Sequence, residues 1–290
     1  MDRPPFTDTH VHFHDLASPT LRYEWLEAGV ADPDLGDYGA IKSQRYWADD
    51  FIAETRFQGV GRVVHVQAAL GSDDPVEETR WLQAFSDRLG VPHGIVAYCD
   101  LASPSARKTL RRHAECANLR GIRDLRYDGY LSDPDWRRGY ALLEEHGLVC
   151  CDDPLVEHMP VERELALEFP EITLCIDHAG FPRRRDESYF REWREGMRML
   201  ASVPNTVVKI SGLGMCDHGW TVGSLRPWVL TCIELWGVER SFFGTNWPVD
   251  RLFSSYGDLL AAYWEIIADL ADAEKAALFH GNADRIFRLN

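Results

Sequence analysis

Two histidines, His10 and His12, stand two residues apart in the run Thr7 to Phe13. On a strand both rings project from one face, so their nitrogens can converge on one cation. A third imidazole, His178, closes another apolar run in the context Ile176-Asp177-His178-Ala179-Gly180. Three such donors hold zinc with a position left open for water. Without a metal, His178 or His12 could serve as a general base, because an imidazole changes charge near neutral pH. Arg123, in Gly121-Ile122-Arg123, offers a planar fork matched to a substrate carboxylate, and Arg126 is a second candidate for that task. An internal ion pair of Arg123 with Asp124 or another strand-end acid is the plainer alternative. Lys209 in Val207-Val208-Lys209-Ile210-Ser211 could polarise a carbonyl or pair with an acid, and His65 with Gln67 is expected at the same mouth.

These residues need a scaffold that gathers them. Eight β-branched or apolar runs recur along the chain: residues 7–13, 62–67, 94–99, 121–125, 148–151, 172–177, 206–211 and 242–245. Between them lie segments such as 75–89 and 135–145, with apolar residues at three- and four-residue intervals and charges between. The alternation predicts a parallel sheet closed by crossover helices: an α/β fold, one (β/α)8 TIM barrel domain spanning residues 1–290. Barrels of this kind carry their sites at the C-terminal strand ends, where the candidate side chains fall. Residues 14 to 50, rich in Trp and Tyr, read as an elaborated first βα loop folding over the mouth.

Charge narrows the partners. With 31 Lys plus Arg against 46 Asp plus Glu, the chain carries a formal −15, and its field repels phosphate backbones and anionic lipid surfaces. A small-molecule substrate is therefore expected, with neither nucleic acid nor membrane as partner; a homo-oligomer is compatible. The basic runs at 111–112, 137–138 and 183–185 are flanked by acids and read as solvated ends or rim charges. Seven cysteines without paired spacing point to reduced, buried thiols, and with no apolar signal core near the start, to a cytoplasmic protein.

The strings at 7–12 (TDTHVH), 176–180 (IDHAG), 207–213 (VVKISGL), 242–250 (FFGTNWPVD) and 279–289 (FHGNADRIFRL) resemble the amidohydrolase superfamily. The nearer likeness is to the branch of 2-pyrone-4,6-dicarboxylate lactonase and sugar-acid lactonases. The resemblance implies hydrolysis of a cyclic ester on a small, carboxylated substrate. The family's histidine pair falls on His10 and His12 and its later histidine on His178, which would be the ligands of one divalent metal, zinc. Related lactonases place arginines near Arg123 to bind a carboxylate. The last strand departs from the pattern, with Asn246 where the family carries an aspartate. A neutral amide neither accepts a proton nor ligates a cation well, so the alternative is a metal-free enzyme. Replacement bases are Asp250, Asp217, His218 and His178 itself, while Asn246 could still orient water.

The expected activity is thus a lactonase with histidine-assisted attack of water, served by His178, His12, Asn246 and Asp250, and by Arg123, Arg126, His65 and Lys209 for binding. The rival readings are a decarboxylating lyase or a lactone isomerase on the same fold, and a barrel retained only for binding.

Overall fold

The computed structural model describes residues 3–125 and 129–289. Each of the eight runs forms a strand: β1 Phe6–Val11, β2 Val60–Val66, β3 Gly94–Ala97, β4 Leu119–Ile122, β5 Val149–Asp152, β6 Leu174–Ile176, β7 Thr206–Ile210 and β8 Ser241–Phe243. They pair in chain order and in parallel. Between β1 and β8 the barrel is joined at its upper rim by a parallel bridge of Val11 to Trp247, with His12 N donating to Trp247 O at 2.7 Å.

Around the barrel run α1 Ala48–Thr55, α2 Val76–Leu89, α3 Ala106–His113, α4 Pro134–Glu145, α5 Met159–Glu168, α6 Glu187–Ala201, α7 Val222–Trp236 and α8 Tyr256–Ile266. Several begin where a side chain satisfies a free amide: Asp133, Asp186, Thr221 and Ser255 accept from the first turns of α4, α6, α7 and α8. No helix among the described residues is long and apolar enough to cross a membrane.

Strand parity decides what faces inward. Val64, Val66, Val96, Val149, Cys151, Cys175, Val207 and Phe242 pack as one interior cluster with Phe287 and Leu289, which plug the end where the strands begin. A second cluster builds the lid. Leu21, Tyr23, Leu26, Leu35, Tyr38 and Ile41 from the first loop pack on Ala68, Phe181, Met215 and Val249. All seven cysteines are free thiols, six of them buried.

The strands end earlier than the apolar runs suggest because the chain turns sharply into the site. His178, Ala179, Gly180 and Phe181 all have positive φ, at 51, 54, 66 and 42°. For non-glycine residues each such conformation costs about 1–3 kcal/mol, and it persists where the surroundings impose it.

Candidate active site

A cavity of about 410 Å3 opens at the C-terminal ends of the strands. His12, His178, Arg123, Asn246 and Gln67 line it together, while the lid contributes Trp25, Asp32 and Asp34. His10 lies beneath the surface, fully buried, with its Nε2 at 3.1 Å from His12 Nε2 and its ring centroid 4.4 Å from that of His178.

Each of the three imidazoles has its Nδ1 beside a second group. His12 Nδ1 lies 2.9 Å from Val66 O, His178 Nδ1 3.0 Å from Ser211 Oγ, and His10 Nδ1 3.5 Å from Asp177 Oδ2. Such outer partners fix ring orientation and leave Nε2 as the donor. The seat of His178 is tight: a Cβ on Gly212, at φ 62°, would stand 2.4 Å from its Nδ1.

Burial holds these rings neutral. It pushes His12 down to about 3 and His178 well below the usual range, with Arg123 the next cause in each case. His10 is also held well down by burial, then by His178. Neutral imidazoles need lose no proton to bind a cation, so the chemistry of the three rings, with Nε2 of His10 and His12 3.1 Å apart, suits a divalent metal. The fourth corner is weaker. Asn246, held at φ 61°, donates through Nδ2 to Asp250 Oδ2 at 2.8 Å. Asp250 is wholly buried behind it, takes Gly214 N at 3.3 Å, and is pushed up to about 7 by burial.

Beneath the histidines, Asp177 is a hub. Lys209 Nζ reaches its Oδ1 at 2.8 Å, and Arg123 Nε lies 3.5 Å from Oδ2. Lys209 is fully enclosed, 3.8 Å from Cys151 Sγ and 5.5 Å above the Phe287 ring. Burial opposes its charge, but Asp177 and the neighbouring thiols outweigh burial and keep the ammonium protonated. Cys151, Cys175 and Asp177 could otherwise form a donor set for a metal; here the lysine supplies the cation. Lys209 is thus beneath the cavity and does not line it.

Arg123 forms the internal pair that the sequence left open, with Asp153: its Nη2 lies 2.9 Å from Asp153 Oδ2. Asp153 lines the cavity and is pushed up to about 7, by burial first, with Arg123 pulling down and Asp152 and Asp177 pushing up. His65 stands apart from the cavity lining because it has the parity opposite to Val64 and Val66. Its Nδ1 accepts from Phe13 N at 3.1 Å, and its Nε2 lies 3.4 Å from Glu78 Oε1. Asp217 accepts from Ser224 Oγ at 2.7 Å, and His218 Nε2 lies 2.8 Å from Asp34 O; neither lines the cavity. Arg126 lies outside the described residues.

Sequence reasoning missed Tyr130, His158 and Phe181 in the lining. It also missed Asp8, which accepts from Thr245 N and Oγ1 at 2.9 and 2.6 Å and from Tyr256 OH at 2.9 Å. That clasp ties β1 to the residue preceding Asn246. Parity along the sequence could not place it: a register shift in β1 between Asp8 and Val11 turns Asp8 outward to Tyr256 on α8, while His10 and His12 face the interior.

Comparison with known proteins adds four likenesses. A family model described as amidohydrolase matches residues 7–289. The uncharacterised protein y4mH of Sinorhizobium fredii is 38% identical over 97% of this chain and 98% of its own length. An L-fucono-1,5-lactonase of Burkholderia ambifaria is 29% identical over 98% of this chain and 95% of its own. Among solved structures, a zinc-bound amidohydrolase of Burkholderia multivorans superposes with a TM-score of 0.84 at 26% identity, covering 99% of this chain and all of that one.

Proposed function

Since the chain belongs to the amidohydrolase family, we propose that its cavity hydrolyses the cyclic ester of a neutral, polyhydroxylated sugar acid. One observation carries this reading: the Arg123–Asp153 pair lines the same strand-end cavity as His12 and His178. The similarity to an L-fucono-1,5-lactonase supports the substrate class. So does the lining, where the guanidiniums of Arg123 and Arg183 each face an acid, Asp153 at 2.9 Å and Asp34 at 3.4 Å. Asp32 and Asp152 remain as further acids. A carboxylated substrate, expected from the sequence, would meet that charge, whereas sugar hydroxyls donate to carboxylates.

In this proposal the proton passes to Asp153. A base works best with a pKa near the working pH; Asp153 stands at about 7, whereas burial holds His12 at about 3 and His178 well below its usual value. Water attacks the lactone carbonyl and gives its proton to Asp153. Arg123 faces the developing oxyanion with fixed positive charge. As the C–O bond of the ring breaks, Asp153 returns the proton to the leaving oxygen, and the product is an open-chain hydroxy acid.

His10, His12 and His178 would hold a divalent metal, which when bound polarises a carbonyl and lowers the pKa of water. Asn246→Asp restores an anionic oxygen beside them, and zinc affinity of the metal-free protein, measured by calorimetry, should rise about 10-fold or more. Equal affinity in both proteins removes Asn246 from the metal question.

The reaction itself is tested by acid release, followed with a pH indicator, from neutral sugar 1,5-lactones and from a carboxylated lactone. We expect turnover of the neutral compounds and a markedly lower kcat/KM for the acidic one. Preference for the acidic lactone would return Arg123 to the role of carboxylate fork, and no hydrolysis of either would sink the lactonase reading.

A further inference from the structure

On one wall of the cavity, two acids meet with no cation between them among the described residues. Asp152 ends β5 and lines the cavity, and its carboxylate already has two donors, Tyr130 OH to Oδ2 at 2.5 Å and Asp153 N to Oδ1 at 2.9 Å. Behind it, on the first turn of α5, Glu162 is fully buried. Neither of its oxygens meets a donor among the described residues, and its side-chain hydrogen-bonding neighbour is the Asp152 carboxyl. Two carboxyl groups in contact inside a protein hold a proton between them, since two bare carboxylates would repel in a medium that solvates neither. The donors identify which one is ionised. Asp152 is stabilised as an anion by two hydrogen bonds, and Glu162 has nothing to stabilise a charge.

We propose that Glu162 is a neutral acid that donates a hydrogen bond to Asp152, and that this donation fixes Asp152 as the cavity's acceptor for a substrate hydroxyl. A carboxylate has about four acceptor directions. Among the described residues, Tyr130, the Asp153 amide and Glu162 occupy three, leaving one for a ligand. The surroundings agree, since burial first and then Asp152, with Asp153 and Asp177 behind it, pushes the Glu162 carboxyl well above its ordinary range. Burial also pushes Asp152 up, opposed by Tyr130 and by Arg123. Tyr140, whose buried hydroxyl meets no partner among the described residues, lies within reach of the charges of the same pair. Glu162 never touches substrate: it is a positioning residue, and Asp152 makes the contact. Only the identity of the ligand rests on the lactone reading above.

The test has a spectroscopic arm and a kinetic arm. The infrared C=O stretch of a protonated carboxylic acid is recorded at about pH 9, where the cavity acid Asp153 and the buried Asp250 are ionised. Wild type should show a band that Glu162→Gln removes. Glu162→Gln keeps a donor for Asp152 and should stay within about twofold of wild type on both a sugar 1,5-lactone and an unsubstituted lactone of the same ring size. Glu162→Leu loses the donor, and should raise KM about 10-fold for the sugar lactone alone. A wild type without the band, a band that survives Glu162→Gln, or an equal loss on both lactones in Glu162→Leu overturns the proposal. A band in a protein inert on every lactone upholds the acid pair and overturns the reading of the reaction.

Discussion

Lys209→Met is expected to lower the unfolding free energy by about 3–5 kcal/mol, the usual result of removing one partner from a buried ion pair. The side chains are similar in length, so the change deletes little more than the ammonium. What it leaves behind is Asp177, fully buried, whose Oδ2 meets no hydrogen-bond donor among the described residues and whose remaining described cation, Arg123, stands 3.5 Å away. His10 is also 3.5 Å away, but burial keeps it neutral. Arg123 is already shared with Asp153 and cannot move to replace the lysine without breaking that pair. In thermal unfolding the loss should appear as a fall of about 6–20 °C, since each kcal/mol moves a domain of this class by about 2–4 °C. The double variant Lys209→Met, Asp177→Asn should recover at least about 1 kcal/mol relative to the sum of the singles, because the stranded charge is then gone. Additive losses, or a single-variant fall under about 2 °C, would show that the pair contributes nothing beyond packing.

How far the sequence reaches is visible in this same cluster. The strands were legible because a parallel sheet covered on both faces is written as near-continuous apolar runs. The histidines were legible because His10 and His12 share a face and His178 ends a run. The pairing of Lys209 with Asp177 was not, since it depends on which of several strand-end acids a side chain meets across the interior, 32 positions away in the chain. The direction of the Arg123 fork was hidden for the same reason. His65 could have been placed from parity, as Val64 and Val66 point inward and it therefore points out toward Glu78 on α2. Glu162 was the hardest. In the segment VERELALE on α5 an acid at that position reads as a solvated charge, and only packing shows that it faces the barrel. Asp153 directly follows β5, but its role depends on a pKa set by burial and by three neighbouring charges.

That pKa makes the second large prediction. If Asp153 must be ionised to take the proton of water, kcat/KM should climb with pH through about 7 and level off above it. Asp153→Asn keeps the shape and removes the base, so kcat/KM should fall about 10²–10⁴-fold and the climb through neutrality should vanish with it. Stability provides the control, and its sign follows from the direction of the shift. The folded protein holds the Asp153 proton to about 7 against an ordinary 3.8, so ionising it opposes folding as pH rises between those values, and the folded state is favoured below them. Asp250, raised to about 7, and Asp8, raised to about 6, act in the same direction. The asparagine variant should therefore lose less stability than wild type on going from about pH 5 to about pH 8, even as its activity collapses. Unfolding at the two pH values separates a lost base from a lost fold. Should the climb through neutrality persist in Asp153→Asn, the proton goes elsewhere, and Asp250 behind Asn246, with a pKa in the same range, becomes the group to replace next.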